Sequence, residues 1–403
     1  MKNKIIKGFS LAMITVILVV SLTSCFGLIP GQNDSTVTEA GGDTIVNNVT
    51  INPSGADVAT GANEGLRSIV SVYCTYGNSL FGSNGAAGSG IIYRLTSTGD
   101  AFIITNYHVV YDSTSASGSV SKDIKVFLYG MEASEYAIPA TYVGGSMNYD
   151  IAVLRVDNSV VLRNAVKSGS AQAVKIADSD KVFVGQSAIA IGNPQSQGIS
   201  VTVGAISVDS EYITLTGSDG STEVTMRVMR TDTAVNSGNS GGGFFNTSGE
   251  LIGVINAKII NANVENIGYA IPSSVARAIA DNIIDYCYGK DCKTVMRGML
   301  GISIATSGLS TYYDTETGML VKCEEIKVHD VTTGGLGSEI LKKDDIIKSV
   351  TIGSKTVKVT RQHHIIDAML DVRVGQTVSI EIIRNGETMT VSTVITEDCL
   401  TAY

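Results

Sequence analysis

The sequence predicts a mainly β protein that ends in a smaller α+β module. Three observations predict it. From Ser68 onward, short runs rich in Val, Ile, Tyr and Phe alternate with Gly/Ser/Asp turns, the pattern of an all-β sandwich or a pair of barrels. At Val275 to Tyr286 the apolar residues switch to helical spacing. From about residue 297, alternating runs and an amphipathic segment mix around turn signals. At 403 residues the chain exceeds one ordinary core, so two or three domains are expected.

Taken in order, residues 1–24 read as a targeting segment. Lys2, Lys4 and Lys7 precede a mostly apolar stretch from Leu11 to Leu22, the layout of a secretory signal. That stretch is short for a spanning helix, which needs about 20 apolar residues. Leu22-Thr23-Ser24-Cys25 resembles a bacterial lipobox, in which Cys25 is lipidated and anchors the mature chain to the cell membrane. An ordinary signal with an incidental cysteine and an uncleaved anchor are the competing readings. Residues 25–64 are rich in Gly, Ser, Thr, Asn and Asp, and read as a flexible tether.

Strands are expected at Ile69 to Tyr73, Gly90 to Tyr93, Ile124 to Leu128, Ile151 to Val156, Ser187 to Ile191, Ile199 to Ile206, Val224 to Thr231 and Leu251 to Ile255. Pro272-Ser273-Ser274 then opens the helix Val275 to Tyr286, with Ser273 or Ser274 as its N-cap. In the last module, Leu336 to Val350 follows the pattern of a short helix and then Leu341-Lys342-Lys343-Asp344-Asp345-Ile346-Ile347. Gln362 to Val372 reads as an amphipathic helix. Val378 to Arg384 and Met389 to Val394 flank an Asn385-Gly386 hairpin turn.

Composition narrows the function. The net charge of −9 and the absence of a basic run argue against a nucleic-acid partner. Setting Cys25 aside leaves Cys74, Cys287, Cys292, Cys323 and Cys399, an odd number that rules out complete internal pairing. Cys287 and Cys292 could close a small loop. No Cys/His spacing suggests zinc, His363-His364 stands apart from any cysteine pair, and no metal or cofactor is expected.

Chemistry concentrates in three segments. Asn236-Ser237-Gly238-Asn239-Ser240-Gly241-Gly242 sets a small nucleophile, Ser240, among glycines in a tight turn. The amides of Gly238 and Ser240 can converge there into the two donors that acyl transfer needs for a developing oxyanion; a Ser/Gly/Asn surface turn is the plain alternative. Phe102 to Val110 is a β-rich run that delivers His108, and no other histidine occurs before His329. A satisfied structural histidine is the plain alternative. Asn148-Tyr149-Asp150 opens an alternating apolar strand at Asp150, which could equally be a turn cap. The order His108, Asp150, Ser240 is that of chymotrypsin-like proteases.

On these residues the chain resembles the HtrA proteases, trypsin-like serine proteases with a C-terminal PDZ domain, over roughly residues 65–400. The likeness rests on Thr105-Asn106-Tyr107-His108-Val109-Val110, Tyr149-Asp150-Ile151-Ala152-Val153-Leu154, Gly238-Asn239-Ser240-Gly241-Gly242 and Gly268-Tyr269-Ala270-Ile271-Pro272. Ser237 departs from the family's usual proline, and Gly243-Phe244-Phe245 from its proline or alanine and leucines.

The resemblance implies a chymotrypsin-like double β-barrel over 65–293 and a PDZ domain over 294–403. It implies peptide-bond hydrolysis of misfolded or damaged proteins, and a homotrimer as the family's assembly. It places the S1 pocket among Ala234 to Gly238, the strand Asn256 to Ile260 and Gly268, with Ala234, Asn239, Lys258, Ile259 and Gly268 as substrate-binding residues. Ala234 stands where trypsin-type enzymes carry an acid, so a basic side chain would be buried unpaired and apolar ones should fit better. Arg297-Gly298-Met299-Leu300-Gly301-Ile302 resembles the PDZ loop that binds C-terminal carboxylates, and Asp344 replaces a usual glycine. The competing function is a non-catalytic PDZ-containing chaperone or scaffold.

Overall fold

The computed structural model describes residues 55–76, 84–112, 119–259, 267–315 and 317–403. The signal segment, Cys25 and most of the tether lie outside the described residues. The tether's expected end at 64 is corrected. Gly55–Leu66 is a helix, α1, packed against the second barrel. Glu64 on it joins Lys175 at 2.8 Å and Arg67 at 2.9 Å, and Ala62 enters the core. A few apolar residues at helical spacing fold a polar-looking stretch once a surface exists to cover them.

The first barrel contains β1 (Ile69–Tyr76), β2 (Asn84–Leu95), β3 (Ala101–Thr105), β4 (Asp123–Leu128), β5 (Ile138–Ser146) and β6 (Ile151–Val156). It closes in the order β1-β2-β3-β6-β5-β4. The second contains β7 (Ser187–Gly192), β8 (Ser200–Thr216), β9 (Glu223–Thr231), β10 (Gly243–Phe245), β11 (Leu251–Ile255) and β12 (Gly268–Pro272). Its order, β7-β8-β9-β12-β11-β10, repeats the first. Closure leaves no unpaired sheet edge and lets short strands rich in Val and Ile bury their inner faces. β6 is buried on both faces except at Arg155, so the expected alternation fails there: one face lines the barrel and the other meets the seam between barrels.

The seam core joins Ile69, Ile91 and Val153 of the first barrel to Ile191, Phe245 and Val254 of the second. Phe245 is fully buried, and a Cβ at Gly243 would stand 2.2 Å from its ring. The departure from the family at 243–245 is therefore a paired change, in which a larger ring fills the space that a side chain at 243 would take.

Helix α2 is the single turn Tyr107–Val110, and α3 is Val160–Ser168. The closing helix, α4, runs Ser273–Cys287, and its N-cap is Pro272 rather than a serine. The two serines are engaged elsewhere. Ser273 Oγ donates to Ala177 O at 2.8 Å, and Ser274 Oγ accepts from Ser179 and Arg227. Ser179 Oγ instead caps the helix from a distant turn, accepting from Ser274 N at 3.0 Å.

The C-terminal module has its own core around Val328, Val350, Leu341 and Ile380. A short strand, β13 (Met296–Gly298), precedes a main sheet built from β14 (Ile302–Asp314), β15 (Met319–Val331), β16 (Ile346–Ile352), β17 (Lys355–Lys358), β18 (Thr377–Arg384) and β19 (Glu387–Val394). The sheet order is β14-β15-β16-β18-β19, with β17 paired to β16, so β14 is an edge strand. The final strand, β20 (Leu400–Ala402), pairs with β13.

Helix α5 is Gln362–Ala368, ending earlier than the expected Val372. The Asn385-Gly386 turn has φ of 53° and 85° and joins Arg384 to Glu387. Asp344 holds the left-handed angle, φ 71°, that its glycine counterpart would take freely, so the turn survives the substitution. The module docks on the second barrel and on α4 through charge pairs. Arg227 reaches Asp367 at 2.6 Å, Arg361 reaches Asp209 at 3.0 Å, and Arg277 reaches Asp371 at 2.7 Å.

Candidate active site

His108 lies just past the end of β3, on the α2 turn rather than on the strand itself. Two bonds zip this segment to the Asp150 loop: Asn106 Nδ2 donates to Asp150 O at 2.8 Å, and Tyr107 N donates to the same oxygen at 3.2 Å. Asp150, with φ 49°, immediately precedes β6 and is only 2% exposed. A non-glycine residue in the left-handed region is strained, and here the strain turns the carboxylate back toward α2.

Asp150 Oδ1 accepts from His108 N at 2.9 Å, and Asp150 Oδ2 lies 2.6 Å from His108 Nδ1. His108 Nε2 is 2.9 Å from Ser240 Oγ. The partners assign the tautomer. A carboxylate only accepts, so Nδ1 carries the proton and Nε2 presents its lone pair to the serine hydroxyl. The three expected residues thus form one continuous hydrogen-bonded line across the seam.

Sequence reasoning set Asn256 in the S1 wall and missed its bond to Asp150. It is fully buried and donates to Asp150 Oδ2 at 2.9 Å, while its Oδ1 accepts from Lys258 N at 3.2 Å. The next amide, Ala257 N, donates to Ser240 Oγ at 3.2 Å. The sequence signal was present, since an Asn directly after the all-apolar run Leu251 to Ile255 is set where its amide must find a partner.

The turn before Ser240 is held at several points. Asn239 N donates to Asn236 O at 3.0 Å, and Ser237 O accepts from Gln195 N at 2.8 Å. Neither the Gly238 nor the Ser240 amide donates to another group among the described residues. Both amides belong to the turn that carries the Ser240 hydroxyl, and neither is taken up by a described partner, so both are open to a reacting carbonyl oxygen.

The residues expected around the S1 pocket come together in part. β11 ends at Ile255, and Ala257–Ile259 is a 3-10 turn, which corrects the expected strand through Ile260. The side chain of Ile259 lies outside the described residues. Asn256 N pairs with Tyr269 O, and a Cβ on Gly268 would touch Val235 at 2.8 Å, so these segments share one wall. Ala234 is exposed, and its carbonyl accepts from Thr202 Oγ1. Partial burial pulls the Lys258 ammonium down, with Asp150 and Asp219 opposing that shift. Asn239 is buried beside Gly192, and its Oδ1 has no partner among the described residues.

In the C-terminal module Leu300 is buried and Gly301 takes φ 69°. Gly337 N donates to Leu300 O at 2.6 Å, and Thr332 N donates to Gly301 O at 2.8 Å. Ile302 opens the edge strand β14, and α5 packs beside that strand.

Among the described residues, Asp180, His363 and His364 bring ligand atoms within 4.8 Å of one another. Internal partners account for that grouping: Arg227 pairs with Asp180 at 3.2 Å, and Thr360 N donates to His364 Nδ1. The five described cysteines are free thiols. Cys287 and Cys292 both donate to Thr294 O at 3.2 Å, and burial pushes Cys74 and Cys287 up to about 12.

A family model described as a trypsin-like peptidase domain matches residues 88–254. The serine protease Do-like HtrA of Lactococcus lactis subsp. cremoris is 30% identical over 382 residues, covering 86% of this chain and 84% of the relative. The serine protease Do-like HtrA of Bacillus subtilis is 29% identical over 356 residues, covering 83% of this chain and 71% of the relative. Among solved structures, an HtrA-type protease, AlgW, with a decapeptide aligns with a TM-score of 0.50 at 25% identity, over 84% of this chain and 98% of that one.

Proposed function

From the premise that this chain belongs to the HtrA family of serine proteases and is a serine endopeptidase, we propose that it degrades misfolded or damaged proteins outside the cytoplasm with His108, Asp150 and Ser240 as its catalytic residues. The observation that carries the assignment is the unbroken line from Asp150 Oδ2 through His108 to Ser240 Oγ, at 2.6 and 2.9 Å.

In this reading Ser240 Oγ attacks the scissile carbonyl while His108 Nε2 takes its proton. Asp150 holds the ring and stabilises the imidazolium. The Gly238 and Ser240 amides receive the oxyanion, and His108 returns the proton to the leaving amine. Water then repeats the sequence on the acyl-enzyme. Asn256 keeps the Asp150 carboxylate turned toward the ring. Buried Asn239 is neutral, so it forms no ion pair with a freshly cut N-terminus, and activation by trimming is not expected. Ala234 and Val235 favour small or medium apolar side chains at the cleaved position, since no carboxylate is placed there for a basic one.

The C-terminal module is proposed to be a PDZ domain that binds C-terminal peptides. The left-handed Gly301, the Leu300 to Ile302 loop and the open edge of β14 beside α5 support it: a carboxylate would meet loop amides while the peptide adds as a strand. An extracytoplasmic site is proposed with it, because relatives include a probable periplasmic DegP-like endoprotease of Rhizobium meliloti. Anchoring through lipidated Cys25 and assembly as a trimer belong to the same proposal.

The test is covalent labelling by a serine-directed phosphonate together with casein cleavage. Ser240→Ala is expected to abolish both while the melting temperature stays nearly constant, since Ser240 Oγ makes few other bonds. Full cleavage by Ser240→Ala would remove the assignment.

A further inference from the structure

An oxyanion hole works only when its amides point at the developing charge, and Gly238 lies in a turn whose peptides could rotate. In a trans peptide the N–H points opposite to the carbonyl. Fixing Ser237 O therefore fixes the Gly238 N–H. Gln195 N does this at 2.8 Å. Gln195 and Ser196 both sit in the left-handed region, at φ 54° and 59°, so the loop that supplies this donor is strained and needs an external hold.

Ser89, on β2 of the first barrel, supplies that hold. It is fully buried. Its Oγ donates to Gly238 O at 2.8 Å and accepts from Asn193 N at 2.8 Å. Its backbone N donates to Ser240 O at 2.8 Å. One hydroxyl thus ties the carbonyl of the Gly238 turn to the first residue of the strained loop. The loop is pinned further where Asn193 Oδ1 accepts from Gly198 N and Asn193 Nδ2 donates to Tyr73 Oη. The hydroxyl's one proton is committed to Gly238 O, and no other described side chain bridges the two segments.

We propose that Ser89 is the positioning residue of the oxyanion hole: by joining Gly238 O to Asn193 N, its hydroxyl keeps the 193–198 loop against the turn and the Gly238 N–H aimed at the reacting carbonyl. The proposal rests on the catalytic reading above. Ser89 touches no reacting atom. Its effect passes through Gly238, so it should appear in the transition state and not in ground-state binding.

The experiment compares wild type with Ser89→Ala, with folded sites counted by phosphonate titration. The kcat on a peptide substrate is expected to fall about 10- to 100-fold, less than loss of a whole oxyanion donor, with KM within about twofold. The affinity for a peptidyl boronate, which places a tetrahedral anion in the hole, should fall by the same factor. Binding of uncleaved peptide should be equal in the Ser240→Ala protein with and without Ser89→Ala. If Ser89→Ala yields no folded protein, Ser89→Cys keeps a hydrogen-bonding group in a slightly larger side chain with a weaker donor and should give an intermediate loss of kcat. An unchanged kcat in either variant, or a loss carried by KM with unaltered boronate affinity, would overturn the positioning role. A wild-type protein that takes no phosphonate would overturn the catalytic reading, and this role with it.

Discussion

Replacing Gly238 by alanine should silence the enzyme without unfolding it. Gly238 has φ 96°, a region that costs an L residue about 1–2 kcal/mol. Steric contact costs more. The new methyl would stand 2.3 Å from Asn193 O and 2.8 Å from Gln195 N, whereas carbon and carbonyl oxygen rest at roughly 3.3 Å or more. Both opposing atoms are backbone, so no side chain can swing away. Either the 193–195 loop or the 237–238 peptide must move by about 1 Å, and both movements break the 2.8 Å bond from Gln195 N to Ser237 O. The Gly238 donor then leaves the hole, and kcat should fall by about 10²–10³, or roughly 3–4 kcal/mol of transition-state stabilisation. The assay is steady-state hydrolysis of an apolar peptide alongside thermal melting. Gly289→Ala is the control, since that glycine has φ 70° with nothing within 4 Å, and its variant should lose about 1 kcal/mol of stability at full kcat. A Gly238→Ala enzyme within threefold of wild type would refute the steric argument.

Two further outcomes concern the C-terminal module. Burial raises the Asp367 carboxyl from 3.8 to about 6, with Arg227 opposing and Asp180 adding to the shift. The folded form therefore holds this proton more tightly than the unfolded chain. The associated stability is present below about pH 4 and is lost as pH rises to about 6, amounting to as much as roughly 3 kcal/mol. Urea titrations from pH 4 to 7 should show wild type losing stability relative to Asp367→Asn across that window, and parallel curves would disprove it. Arg384 bonds Asp345 at 2.6 and 2.7 Å and Ile340 O at 2.9 Å, and Asp345 is 1% exposed. Arg384→Ala leaves a buried carboxylate served, among the described residues, only by Lys342 N, so the module should lose about 3 kcal/mol in chemical denaturation while short-peptide hydrolysis persists. A loss below about 0.5 kcal/mol would contradict it, being what an exposed pair gives.

Much of the candidate site was legible in the sequence because each proposed reacting residue is tied to a local signal. Ser240 sits among glycines that permit a tight turn, His108 follows a β-rich run, and Asp150 opens the next one. The strands at Ile151–Val156 and Leu251–Ile255 fall where the apolar runs stand. Legibility failed where partners are remote. α1 is polar enough to pass for tether until the second barrel covers its apolar side. Ser273 and Ser274 look like caps, yet their hydroxyls are drawn to Ala177, Ser179 and Arg227. The long hairpin of β14 and β15 escaped notice because much of it is exposed on both faces, and apolar alternation such as Ile326-Lys327-Val328 is confined to its inner end.

By itself, then, the sequence determined the mainly β character, the two-part order of barrels and module, and the choice of His108, Asp150 and Ser240 as candidates. Those features depend on residue type and short-range periodicity, which the chain carries locally. Only the tertiary structure decided that Asn256 turns Asp150 toward the imidazole, that Ser89 and Gln195 hold the turn carrying the Gly238 amide, and that Arg227 ties the module to the second barrel. Each of these contacts joins residues far apart in sequence, 106 positions in the case of Asp150 and Asn256. A hydrogen bond depends on distance and angle within tenths of an ångström, and barrel closure sets those values where no local pattern does.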